Sequence, residues 1–475
     1  MTDPTALARA AAPLEPDATE RARVLELAAS HAAAFLEALP EAPAWRPVRE
    51  ALAQRDQAEI PELGRDPAGV LAYLRDCVDA PGVAAASPRF MGYIPGGGLF
   101  HAAIGDFLAA TANKYSGFAS AGPGATLIEN TTVAWLAKAA GLPESAAGVL
   151  CSGGSIATMT ALVAARDACD ANGGGIIYLT AFTHHCVEKA LHIVGRGAAE
   201  RRFVGTDERR RMRLEALEAA IEADKAAGLR PWLVVASAGT TDTGSVDPLS
   251  AIADVCARHG LWLHVDGAYG GLFRLCPEGQ AILAGMERAD SLVLDPHKAL
   301  FLPYGTGAVL LRDGQRLLDS FGASAEYLRP LSETDVGPSP ADLGPELTRH
   351  FRALRLWLPL QLAGAGAFRA ALSEKLALAL HFHAKLSELE GFDPGPPPDL
   401  TVVAFRYLPP QGDPNRFNEA LLAWLQEQGQ VFLSGTRIDG DVYLRAAILS
   451  FRTHLQHVDE ALDCLVRGAR EVQGR

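Results

Sequence analysis

From about Val149 to Leu311 the chain alternates short apolar runs with longer amphipathic stretches, and this alternation restricts the fold more than any other feature. The short runs are Gly175–Leu179, Trp232–Ala236, Leu261–Val265, Ser291–Leu294 and Gly307–Leu311. Each is strand-length and bounded by turn-forming residues. Between them, His184–Val194, Arg213–Ala227 and Leu249–His259 carry helix-spaced apolar positions. Strands alternating with helices predict an α/β fold, a mostly parallel sheet with helices over both faces.

The flanks read differently. Up to Val83 the chain is Ala- and Leu-rich with helical spacing, over Ala22–Leu39 and Gly69–Val78. Ser87-Pro88 ends that pattern and the glycine-rich loop Met91–Gly98 follows. The segment Ala323–Pro345 is rich in Pro, Ser, Gly and acids and predicts a long loop, with helix resuming over Leu347–Leu362. After Pro394–Pro398 come strand Val402–Tyr407, helix Asn415–Gln428, strand Val442–Ile448 and helix Leu455–Arg467. The expected division is 1–86 as an N-terminal helical segment, 87–345 as the large domain and 346–475 as a small α+β domain.

Composition removes several function classes. The formal net charge of -13 and the absence of a long Lys/Arg run argue against nucleic-acid binding. Arg201-Arg202 and Arg209–Arg211 are short and sit beside acids, as solvated surface does. Seven scattered cysteines without CxxC spacing predict neither zinc nor a disulfide framework, and a reducing compartment. The N-terminus has no apolar signal core, and no run is long enough to span a membrane. A cytoplasmic enzyme is the expectation.

Three motifs follow three expected strands, so they share the sheet edge where ligands of open α/β folds bind. Cys151-Ser152-Gly153-Gly154-Ser155 opens a helix, and offers close backbone approach, free N–H donors and a hydroxyl to an anion. It lacks the lysine of a nucleoside-triphosphate loop. In His264-Val265-Asp266-Gly267-Ala268, Asp266 ends a strand, where a carboxylate can pair with a protonated pyridine nitrogen. In Asp295-Pro296-His297-Lys298 the lysine lies among apolar residues, which predicts partial desolvation, a lowered pKa and imine chemistry. Alone, each also reads as an ordinary helix cap, turn or surface lysine. Together they supply partners for a phosphate, a ring nitrogen and an aldehyde, which are the groups of pyridoxal 5'-phosphate (PLP). His184-His185 adds a planar imidazole, and no HExxH or His-x3-His spacing points to metal.

The chain resembles the group II PLP-dependent amino-acid decarboxylases, the family of aromatic-L-amino-acid, histidine, tyrosine and glutamate decarboxylases. The resemblance runs from about Ser87 to the C-terminus. It is carried by Pro88-Arg89-Phe90, Gly153-Gly154-Ser155, His184 with Val187-Glu188-Lys189-Ala190, Gly239-Thr240-Thr241, His264-Val265-Asp266, Asp295–Lys298, Phe351-Arg352-Ala353-Leu354 and Leu444-Arg445. It implies PLP fold type I and a homodimer with its sites at the subunit interface and its N-terminal helices exchanged. It implies a Schiff base on Lys298, Asp266 on the ring nitrogen and His184 over the ring. Gly154, Ser155 and His297 would lie toward the phosphate, with Asp295 beside them, and Thr241 and Ala268 against the ring. By position, Tyr93, Pro95 and Phe118 resemble the aromatic side of the family's substrate pocket, which favours an aromatic amino acid.

One departure bears on the product. Animal and plant aromatic decarboxylases carry a loop tyrosine that protonates Cα. That position falls near Pro340, and no tyrosine lies between Leu328 and Phe351. Either His184 or Tyr327 delivers the proton and an amine results, or decarboxylation leads to oxidative deamination and an aldehyde. Asp295, where animal members have Asn, is a second departure. Another fold-type-I reaction, transamination or desulfuration, and a noncatalytic protein on the same fold remain as alternatives.

Overall fold

The computed structural model describes residues 3–47, 53, 58–169, 175–322 and 336–474. Residues 323–335 of the expected long loop, Tyr327 among them, lie outside the described residues. A two-residue ladder, β1 (Trp45–Arg46) with β2 (Gly82–Val83), ties the N-terminal segment together. The central sheet comprises β3 (Ala147–Cys151), β4 (Ile176–Leu179), β5 (Glu200–Phe203), β6 (Pro231–Ser237), β7 (Trp262–Gly267), β8 (Ser291–Leu294) and β9 (Gly307–Leu311). Their order is β3-β9-β8-β7-β6-β4-β5. All neighbours are parallel except around β9, which runs antiparallel to both β3 and β8. The carboxyl ends of β3, β6, β7 and β8 therefore open on one edge.

Both sheet faces are covered, for the reason the sequence pattern implied. Alternate residues of β8 point opposite ways. Val293 packs with Ala157, Ala161 and Ala164 of the Gly154–Ala168 helix. Leu292 and Leu294 join Ile252, Ala253 and Cys256 of the Leu249–His259 helix in the main core. The small residues of the Gly154–Ala168 helix let it lie close to the sheet, which brings its N-terminus to the edge where β8 ends.

Beyond the central sheet, β10 (Phe392–Asp393), β11 (Val402–Tyr407), β12 (Ser434–Ile438) and β13 (Asp441–Ala447) form an antiparallel sheet of order β10-β11-β13-β12. The helices Pro414–Gln428 and Leu455–Gln473 cover it through a separate apolar cluster. The helix expected from Leu347 begins instead at Ala353 and runs to Ser387, interrupted at Gly364 (φ 73°, ψ 150°). Residues before it are committed elsewhere: Arg349 enters a buried ion pair with Glu129, and Arg352 pairs with Glu346. Five strands were not expected, β1, β2, β5, β10 and β12, and all are sheet edges. The N-terminal Ala18–Ala38 helix has no buried residue within the chain, and no helix among the described residues is long and apolar enough to cross a membrane.

Candidate active site

The three motifs meet in a cavity of about 340 Å³ at the shared strand edge. It is lined by Gly154, Ser155, His184, Thr241, Asp266, Ala268, Asp295, His297 and Lys298, every residue expected to face the cofactor. Its size falls in the range of small-molecule pockets.

The anion cradle follows directly from the end of β3. Gly153 is extended (φ 161°), and the helix starts at Gly154. First-turn N–H groups of a helix have no intrahelical acceptor and favour an anion there. Gly154 is required by space: a Cβ would stand 2.9 Å from Asp295 Oδ2 and 3.3 Å from the Ala268 Cβ. Opposite it, Asp266 ends β7, is almost fully buried, and accepts one hydrogen bond from the Ala268 amide (3.1 Å).

Lys298 stands on the one-turn helix Pro296–Ala299, after β8. Its Nζ lies 2.9 Å from Asp295 Oδ2, in a pair where the lysine side chain is 25% exposed and the carboxylate 3%. This corrects the expectation of a lowered pKa. Burial does push the Lys298 ammonium down, but the carboxylates of Asp295 and Asp266 outweigh it and hold the group above the usual lysine range. The sequence showed the apolar flanks but not which way Asp295 turns. Asp295 Oδ1 is buried without a hydrogen-bond partner among the described residues. His297 is anchored by its Nδ1 to the Thr306 carbonyl (2.6 Å), and burial lowers its pKa.

His184 precedes a short helix and accepts at Nδ1 from the Cys186 amide (3.3 Å). That bond places its proton on Nε2. Burial lowers its pKa, against the pull of Asp266, so the ring is neutral near pH 7. Thr241 is placed by the small sheet: Arg445 of β13 donates to the Thr241 and Asp242 carbonyls and to Ser434 Oγ.

Several lining residues were not singled out from sequence: Thr158, Phe182, Cys186 and Ser237. Cys186 carried a signal, being two positions after His184. Its thiol is buried and pushed up to about 12, so it stays protonated. Tyr93, Pro95 and Phe118 do not line this cavity. The Tyr93–Pro95 loop does run beside it, since a Cβ on Gly96 would collide with the His297 carbonyl (2.2 Å). Phe118 stacks on Tyr115 with ring centroids 5.8 Å apart.

The residues present fit pyridoxal phosphate. The lysine amine, the strand-end carboxylate and the helix N-terminus are distinct partners for its aldehyde, ring nitrogen and phosphate, and the missing Cβ at Gly154 leaves the cradle open.

Known proteins share this chain's sequence and fold. Residues 50–408 match the pyridoxal-dependent decarboxylase conserved domain. The chain is 37% identical over 421 residues to an aromatic-L-amino-acid decarboxylase of Bacillus atrophaeus, covering 87% of this chain and 88% of the relative. It is 30% identical over 424 residues to a phenylacetaldehyde synthase of Arabidopsis thaliana, covering 85% and 86%. The crystal structure of Oryza sativa TDC with PLP and tryptamine superposes with a TM-score of 0.89 at 27% identity, over 96% of this chain and 99% of that one. By domain match, extended identity and a fold shared with PLP enzymes of fold type I, the chain belongs to the pyridoxal-dependent decarboxylase family.

Proposed function

We propose that the protein decarboxylates an aromatic L-amino acid to its amine, with Lys298 as the covalent anchor of the cofactor. The observation that carries this reading is the convergence of Lys298, Asp266, His184 and the Gly154–Ser155 cradle on one cavity. The aromatic preference rests on the Bacillus atrophaeus relative and on Tyr93 and Pro95, whose loop borders the site; Phe118 completes the proposed pocket.

When bound, pyridoxal phosphate supplies an electron sink for the pair left at Cα as CO₂ departs. The protein's part is to hold and orient. The helix N-terminus and Ser155 bind the phosphate, with His297 beside them. Asp266 holds the ring nitrogen, and Thr241 and Ala268 border the ring. His184, with its proton on Nε2, would lie over the ring. Walls that exclude water favour loss of CO₂, because a carboxylate forfeits more solvation than the delocalised charge that replaces it.

The quaternary reading is a homodimer. It is supported by the Ala18–Ala38 helix, which has no fully buried residue within the chain, and by an apolar groove of about 470 Å³ beside it that includes Leu27, Phe35 and Leu71. The domain division at 86 and 345 belongs to the same reading. Seven free cysteines support a reducing, cytoplasmic setting.

A second reading has its own support. The match to a phenylacetaldehyde synthase, and the lack of a tyrosine between Leu328 and Phe351, favour an aldehyde product. A panel of amino acids scored for CO₂, amine, aldehyde, ammonia and peroxide separates the two. CO₂ matched by amine without peroxide supports the first; CO₂ matched by aldehyde and ammonia overturns it. A keto acid without CO₂ would overturn both.

A further inference from the structure

His297 enters the cavity lining held by a turn that is itself held from outside the site. After the Pro296–Ala299 helix the chain turns through Pro303-Tyr304-Gly305 and begins β9 at Gly307. Thr306, completely buried, grips the His297 ring at Nδ1, with its carbonyl 2.6 Å away and its amide 3.3 Å away. The same carbonyl accepts from the His297 amide (3.3 Å). The ring is thereby set against the anion cradle: a Cβ on Gly153 would stand 3.3 Å from His297 Cε1.

Thr306 has a partner of its own in Arg355, on the first turn of the Ala353–Ser387 helix. Arg355 Nη1 donates to the Tyr304 carbonyl (2.9 Å) and to the Thr306 hydroxyl (3.0 Å). Its Nε donates to Asp106 Oδ1 (2.7 Å) on the Phe100–Ala112 helix. The two helices touch at this level, since a Cβ on Gly105 would stand 2.7 Å from the Leu354 carbonyl oxygen. The Arg355 and Asp106 side chains are 12% and 26% exposed, so solvent screens the pair only in part. A guanidinium is a rigid planar fork. A carboxylate on its Nε edge therefore fixes where Nη1 points. Arg355 and Asp106 lie outside the cavity lining, yet an unbroken chain of hydrogen bonds runs from Asp106 through Arg355 and Thr306 to the imidazole.

We propose that Arg355, oriented by Asp106, is a positioning residue that holds the His297 imidazole at the phosphate side of the cofactor site. The inference rests on the reading of His297 as a phosphate-side residue. Arg355 acts through Thr306: without the guanidinium, the Tyr304–Thr306 turn loses both of its ties to the Ala353–Ser387 helix, and the ring loses a fixed anchor. Outer partners of this kind set the orientation of groups that touch a ligand, as they do at metal sites.

The test separates the phosphate from the rest of the cofactor. Dissociation constants for PLP and for pyridoxal, which lacks the phosphate, are measured by absorbance titration of the cofactor-free full-length enzyme. Circular dichroism confirms that each variant is folded. Arg355→Met is expected to weaken PLP about tenfold, the lower end of what outer partners cost at metal sites. Pyridoxal is expected to stay within about twofold of the wild type, as it would for an independent site. Asp106→Asn keeps an acceptor for Arg355 Nε but removes its charge. It is expected to weaken PLP about threefold with the same selectivity, and it carries the test if Arg355→Met does not fold. In a His297→Ala background, Arg355→Met is expected to add less than about twofold, because residues of one network are not additive. Equal loss of PLP and pyridoxal, unchanged PLP affinity, or full additivity with His297→Ala would overturn the proposal. If His297→Ala itself weakened PLP and pyridoxal equally, the phosphate-side reading of His297 would fail, and the role of Arg355 with it. A selective His297→Ala beside an unselective Arg355→Met would leave that reading standing and sink the proposal alone.

Discussion

Glu129→Gln tests how the anion cradle is held in place. β3 is an edge strand, so its outer backbone groups lack a strand partner. At Leu150 a buried ion pair takes that place. Glu129 Oε1 accepts from the Leu150 amide (3.2 Å), and Arg349 donates to the Leu150 carbonyl. The two side chains meet at 2.6 Å and are 2% and 1% exposed. Glutamine preserves the shape and the amide bond but leaves the guanidinium charge buried without its counterion. Removing one partner of such a pair costs about 3–5 kcal/mol. The comparison is Glu388→Gln, which breaks a Lys385–Glu388 pair at 3.0 Å whose side chains are 50% and 63% exposed. There the expected cost is about 0–1 kcal/mol. Urea unfolding followed by circular dichroism, extrapolated to water, reads both. Ser152–Ser155 begin two residues after Leu150, so Glu129→Gln also weakens PLP retention on dialysis, and Glu388→Gln does not. A Glu129→Gln enzyme as stable as Glu388→Gln would refute the reasoning.

Two further outcomes follow from the site. Gly154→Ala puts a Cβ 2.9 Å from Asp295 Oδ2; overpacking of this kind costs about 1–3 kcal/mol, read as weaker PLP binding in a fluorescence titration, and unchanged affinity would show that the cradle has room. Asp295→Asn removes the larger of the two carboxylate effects that hold Lys298 above the usual lysine range, leaving burial, which lowers it. The lysine then loses its proton at lower pH, so PLP uptake by the cofactor-free enzyme, which needs the free amine, shows its rise at lower pH than in the wild type; an unmoved profile would contradict the assigned pairing. By linkage, the wild-type pair's contribution to stability is present below the ordinary lysine pKa and fades as pH climbs through the raised value.

What could be read from sequence was what is encoded locally. Strands β8, β9 and β11 coincide with their expected limits because continuous apolar runs bounded by turn residues mark buried strands. The edge strands β5 (Glu-Arg-Arg-Phe) and β12 (Ser-Gly-Thr-Arg-Ile) were not legible, since an edge carries charged and polar residues on exposed positions. Lys298, Asp266 and the cradle were recognisable because each follows a strand in a short motif. The partners that tune them were not. Arg349 lies 220 positions from Glu129. Asp295 stands beside Lys298 in sequence, yet its rotamer decides whether the lysine is raised or lowered.

The central claim is that Lys298 anchors the cofactor, and covalent trapping tests it most directly. The PLP-loaded enzyme is reduced with borohydride, digested, and the pyridoxyl-bearing peptide sequenced by mass spectrometry. The account predicts the label on Lys298, with neither label nor reducible chromophore in Lys298→Ala. A pyridoxyl group on another lysine, or a chromophore that survives in Lys298→Ala, would contradict it.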